Sequence, residues 1–134
     1  MKTTELLRSP VPRVFSECHG GKGEFVYKDN LETLAQEDKL CIKLINDNVI
    51  PPNSSFGIHE HDGHWFEEWY YCISGKGIMH LDGKDIEMEP GDIAVCRAGG
   101  SHGITNNGSE DLHILVVCAG LTASDIEKIK KITD

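Results

Sequence analysis

The chain has 134 residues, a hydrophobic fraction of 39%, a charged fraction of 26% and a formal net charge of −9. That length allows one core and is too short for two full domains. With three arginines (Arg8, Arg13 and Arg97) and scattered lysines, the acidic balance argues against a nucleic-acid partner.

Taken in chain order, residues 1–23 carry Pro10 and Pro12, which disfavour helix. They predict an extended arm followed by a turn. Gly20-Gly21-Lys22-Gly23 lacks the spacing and the hydroxyl residue of a phosphate loop, and is expected to turn into a strand over Glu24–Lys28. Leu31–Glu37 is read as a short helical turn. From Leu40 the period becomes that of a strand, with Leu40, Ile42 and Leu44 on one face, until Pro51-Pro52-Asn53 breaks the chain.

Short strands are then expected at Phe56–His61, Glu68–Ser74, Gly77–Leu81, Asp85–Glu89, Ile93–Arg97, Gly103–Asn106 and Leu112–Cys118. Turn signals bound them, and Asp82-Gly83 is a hairpin signal. Eight or so short strands at this spacing predict an all-β sandwich or barrel over residues 24–120, within a single domain. Ser124-Asp125-Ile126-Glu127 is a capping box, and Ile126, Ile129 and Ile132 continue it as a short amphipathic C-terminal helix over 124–132. Lys128, Lys130 and Lys131 on that helix read as a solvated face.

No apolar run nears the ~18 residues that cross a membrane, and Met1–Arg8 lacks the apolar core of a signal peptide. Five cysteines with no two close in sequence suggest no disulfide framework. Free thiols, and with them a cytoplasmic location, are the expectation.

The segment Gly57-Ile58-His59-Glu60-His61 carries the strongest chemical signal. On a strand, His59 and His61 share one face, roughly 6–7 Å apart. Alone, such a pair reads more readily as two surface histidines. Glu68 opens the next strand with Tyr70 and Cys72 on the same face, and Gly99-Gly100-Ser101-His102 brings a third imidazole. Three imidazoles and a carboxylate suit Mn²⁺, Fe²⁺, Ni²⁺, Co²⁺ or Zn²⁺ without choosing among them.

Residues 51–118 resemble the cupin superfamily through both of its motifs. The first reads here as His59, His61, Glu68 and Gly75, and the second as Gly91, Gly99, His102 and Asn106. Asn53 stands where the first motif opens on glycine, and Arg97 stands where the second has proline. Six residues separate His61 from Glu68 instead of three or four, which makes Glu67 a rival ligand, although the spacing to Gly75 favours Glu68. The resemblance implies a double-stranded β-helix, or jelly roll, with one divalent metal held by His59, His61, Glu68 and His102.

It also implies a metal-dependent enzyme acting on a small polar metabolite, such as a sugar, a sugar phosphate, or a hydroxy or oxo acid. The reaction would be of isomerase, decarboxylase or dioxygenase type. The alternative is a binding or sensing protein without turnover. Tyr70, His64 and Arg97 are the candidates for catalytic roles, Arg97 only if it faces the pocket, where it could pair with a carboxylate or phosphate. Trp65 and Phe66 could cover the pocket mouth, and His19, His80 and His113 read as surface or packing residues. The extended arm and open sheet edges suggest a homodimer.

Overall fold

The computed structural model describes residues 6–31, 41–60, 66–120, 124 and 127. Ten strands run in chain order: β1 Arg13–Ser16, β2 Glu24–Asp29, β3 Ile42–Ile50, β4 Ser55–His59, β5 Phe66–Ser74, β6 Gly77–Leu81, β7 Lys84–Met88, β8 Ile93–Cys96, β9 His102–Thr105 and β10 Leu112–Gly120. One sheet has the order β1-β2-β3-β10-β5-β8 and the other β4-β9-β6-β7, with every pairing antiparallel. This is the all-β double-stranded β-helix that the sequence predicts.

The strand boundaries follow the turn signals, and the Asp82-Gly83 hairpin pairs Leu81 with Lys84. Both turn residues have positive φ, 49° and 81°, as a type I′ turn requires. Asn53, standing where the motif has glycine, also adopts a left-handed conformation, φ 61°, which asparagine tolerates better than most residues.

Within the extended arm, residues 13–16 form an edge strand, with Val14 opposite Val26 and Phe15 opposite Phe25. Pro10 and Pro12 precede the ladder and cost it no hydrogen bond, while Phe15 packs its ring on Phe25 at 5.7 Å. Of the helical turn expected over Leu31–Glu37, residues 32–37 lie outside the described residues. Of the C-terminal helix, Ser124 and Glu127 are helical and the rest lies outside them.

Alternation sets what each strand turns inward. On β10, Leu112, Ile114, Val116 and Cys118 are buried, and on β5 Glu68, Tyr70 and Cys72. On β3 the inward positions are Leu44, Asn46, Asn48 and Ile50, so two amides interrupt an apolar row. The outer face carries the ion pairs: Asp47 holds both His113 and Lys28, the latter at 3.3 Å. His80 is held between Asp85, 2.6 Å from its Nδ1, and Thr105, 2.8 Å from its Nε2.

Asn106, the last residue of the second motif, is fully buried. Its amide nitrogen donates to the carbonyls of Ile50 at 2.8 Å and Glu110 at 2.7 Å, and its carbonyl accepts from the Gly108 N–H at 2.9 Å. It therefore ties the end of β3 to the β9–β10 loop. Asn106→Ala removes three buried hydrogen bonds and should destabilise the fold by about 3 kcal/mol, read as a lowered midpoint in chemical denaturation with an unchanged slope.

Candidate metal centre

Glu68 sits on the inward face of β5, flanked in the sheet by Cys118 of β10 and Cys96 of β8. It is 7% exposed. A buried carboxylate needs polar partners, and two side chains lie against it. The Tyr70 hydroxyl donates to Glu68 Oε2 at 3.2 Å, and His102 Nε2 lies 2.9 Å from the same oxygen. Glu67, the rival carboxylate, is on the opposite face of the strand, beside the exposed Trp69. Strand parity therefore separates the two, and Glu68 is the one that faces the interior.

Burial and then the Glu68 charge raise the Tyr70 hydroxyl well above its ordinary value. The same two causes, burial first, push the thiols of Cys96 and Cys118 up to about 12. All three groups stay protonated at neutral pH and act as neutral neighbours of the carboxylate.

His102 opens β9 and is 2% exposed. The preceding turn is held by Asp82, whose carboxylate accepts the Ser101 N–H at 2.8 Å and whose own N–H donates to the Ser101 carbonyl at 3.0 Å. Across the β4–β9 ladder His102 pairs with His59, and the two rings stand 4.5 Å apart at 61°. His59 Nδ1 lies 2.8 Å from the Gly57 carbonyl. A carbonyl only accepts, so Nδ1 carries the proton and Nε2 is the acceptor nitrogen of the neutral ring.

His19 is the residue whose place the sequence does not disclose. It lies in a 3₁₀ turn, Cys18–Gly20, with φ 51°, and its ring stacks on His59 at 3.8 Å and 8°. The turn reaches β4 by backbone contact: a Cβ on Gly57 would stand 1.8 Å from the His19 carbonyl oxygen. Only glycine at 57 admits this approach. The Gly20–Gly23 segment is anchored to the same strand, Ser55 Oγ accepting from the Lys22 N–H at 2.7 Å.

Of these groups His19, His59, Glu68 and Tyr70 line a cavity of about 260 Å³. His19, Asn46, Asn48, His59, Glu68 and Tyr70 supply its polar lining, and Phe25, Phe56, Ile104, Ile114 and Val116 much of the rest, with His102 behind Glu68. Among the described residues the donors do not yet form a group of three around one point that could hold an ion. His61, two residues beyond His59, lies outside the described residues, as do His64 and Trp65. Arg97 follows β8 at an exposed position and is not among the cavity-lining residues. Phe66 begins β5 and is half-buried. All five cysteines are free, and among the described residues no helix is long and apolar enough to cross a membrane.

Comparison with known proteins agrees with this architecture. The family model described as "Cupin domain" matches residues 48–118. An oxalate-binding protein of Thermotoga maritima is 38% identical over 106 residues, which cover 79% of this chain and 84% of that protein. The crystal structure of a predicted oxalate decarboxylase from the same organism superimposes with a TM-score of 0.78 at 35% identity, covering 87% of this chain and 100% of that one. A protein of Acidithiobacillus ferrooxidans provisionally named a sugar phosphate isomerase gives a TM-score of 0.61 at 27% identity, over 73% of this chain and 60% of that one. With both motifs in place on a double-stranded β-helix, the chain belongs to the cupin family.

Proposed function

We propose that the chain binds one divalent metal ion in its barrel and, through it, a small carboxylate metabolite. The observation that carries this reading is a chain of pairwise contacts between three donors: His102 lies opposite His59 on the β4–β9 ladder, and its Nε2 lies 2.9 Å from Glu68 Oε2. The donors fit a metal chemically. The Gly57 carbonyl holds the His59 tautomer that leaves Nε2 as ligating atom, Glu68 is a buried carboxylate, and His102 Nε2 faces it. His61, two residues further along the sequence, would be the fourth ligand. A bound ion would act as a Lewis acid toward a substrate oxygen. Nitrogen and oxygen donors of this kind admit Mn, Fe, Co, Ni or Zn.

The chain's own residues divide the remaining work. His19 covers one face of His59 and restricts its rotation. Tyr70 keeps its proton and holds Glu68 in place. The apolar walls exclude water from around a bound carboxylate, which strengthens each polar contact made to it. The relative named an oxalate-binding protein supports a carboxylate ligand, and a dicarboxylate is the first candidate to test.

A second reading, turnover, draws support from the neighbour named a predicted oxalate decarboxylase and from the Tyr70 hydroxyl beside the donor set. Decarboxylation would convert oxalate and one proton into formate and carbon dioxide. Formate release on incubating metal-loaded protein with oxalate distinguishes turnover from binding.

Elemental analysis tests the metal. Purified wild-type protein should carry about one equivalent of a transition metal, and His59→Ala, His102→Ala and Glu68→Gln should each lose most of it while circular dichroism keeps its strand signature. Full metal retention in all three variants would remove the basis of the reading.

The protein is further proposed to form a homodimer. Trp69, Tyr71 and Ile73 on the outer face of β5, with Ile93 on the edge strand β8, are between 40% and 56% exposed, and contiguous apolar surface of this kind marks contact sites. Light scattering should report twice the chain mass. Trp69→Glu with Ile93→Glu should give a monomer with unchanged metal content, and a monomeric wild type would contradict the assignment.

A further inference from the structure

The wall of the cavity on β3 carries two buried amides. Asn46 is 7% exposed and Asn48 5%, both face inward, and the side-chain Oδ1 of each has no hydrogen-bond partner. Buried polar groups are ordinarily paired, and a strand position between β-branched and aliphatic neighbours is filled more stably by an apolar residue. Two amides with unpartnered oxygens at successive inward positions of one strand therefore form a polar patch on the cavity wall.

Register places this patch away from the donor set. Asn46 lies opposite Val116, which lies opposite Tyr70, while Glu68 lies one row further, opposite Cys118. Two strand spacings and one two-residue step put the Asn46 and Glu68 Cα atoms on the order of 11 Å apart. Asn48 is another row beyond. Oxalate, with its one carbon–carbon bond, does not bridge such a gap. At about 260 Å³, the cavity has room for a larger molecule, since it equals the liquid volume of roughly eight or nine waters.

We propose that Asn46 and Asn48 form a second polar subsite that recognises the far end of the ligand. The preferred ligand is then a hydroxy acid, oxo acid or dicarboxylate of about four to six carbons. Its carboxylate lies at the His59, Glu68 and His102 end, its carbon chain lies against Phe25, Phe56 and Ile114, and a hydroxyl, carbonyl or second carboxylate meets the amides. Either end of each carboxamide can be turned to the cavity by rotation about χ2, so the pair can receive a donor or an acceptor. The subsite rests on the metal-centred reading above for the position of the ligand's first carboxylate.

The test compares wild type with Asn46→Leu and Asn48→Leu, each loaded with Mn²⁺ and titrated calorimetrically with oxalate, malate, 2-oxoglutarate and adipate. At least one of the longer acids should bind wild type more tightly than oxalate does. Each variant should weaken that acid about tenfold, roughly the worth of one hydrogen bond, and leave oxalate affinity and metal content unchanged. The ligand-free melting temperature of the variants should hold or rise, because an apolar residue replaces an unsatisfied amide. If no longer acid exceeds oxalate, or if the variants bind it as wild type does, the subsite is overturned. A fall in melting temperature with unaltered binding also overturns it, assigning the amides to buried water instead. Metal content in the same samples reports separately on the donor set. Protein that takes up no metal defeats the metal-centred reading, while the comparison of variants with wild type still decides the subsite.

Discussion

A carboxylate held out of water in the middle of a sheet is the constraint around which this barrel is arranged. Desolvating Glu68 costs several kcal/mol unless it is compensated, and its neighbours along the ladder, Cys96 and Cys118, are neutral thiols that offer little. Compensation comes from Tyr70 on the same strand and from His102 on the opposite sheet. The two sheets are therefore joined at this point by polar contacts within a largely apolar core. The position of His102 depends in turn on Asp82, which fixes the turn before it through both backbone and side chain. A hairpin residue on the rim thus sets the aim of an imidazole in the interior.

The second arrangement that depends on close tolerance is the seat of His59. Its ring is held on one nitrogen by the Gly57 carbonyl and on one face by His19. The second contact requires the chain at 18–21 to approach β4 more closely than any side chain at position 57 would permit. The N-terminal segment reaches that position because β1 joins the sheet beside β2, with Phe15 packed on Phe25. The edge strand, the 3₁₀ turn and the imidazole form one mechanical unit, so that residues far from the motifs help determine the geometry of the motif histidine.

Much of this was legible in the sequence, for reasons that differ from residue to residue. Strand limits could be read because turns demand particular backbone conformations, and Asp82-Gly83 and Asn53 adopt the left-handed geometry their residue types suggest. The inward aim of Glu68, Tyr70 and Cys72 followed from period-two alternation, which also separates Glu68 from Glu67 once the strand direction is known. What could not be read was lateral: alternation reports the face of a residue but not which strand lies beside it. The pairing of residues 13–16 with β2, the stacking of His19 on His59 and the grip of Asp82 on Ser101 are contacts between segments distant in sequence. Asn46 and Asn48 were hidden for another reason. Polar residues in a strand ordinarily mark its solvent side, and here the solvent-side pattern runs inward.

That inversion bears on how the cavity wall was shaped. A barrel of this size is stabilised by the apolar area it buries, and every inward position given to a polar group forgoes part of that area. On β10 the inward row is Leu112, Ile114, Val116 and Cys118, with no such concession. On the flanking strands β3 and β5 the concessions are grouped, amides at 46 and 48 and a carboxylate at 68, so β10 is an apolar divide between two polar poles. Polar substitutions accumulated without function would be scattered among the rows and would leave the wall uniformly weakened. Their separation by one fully apolar strand instead gives the cavity a polarity that varies along one direction.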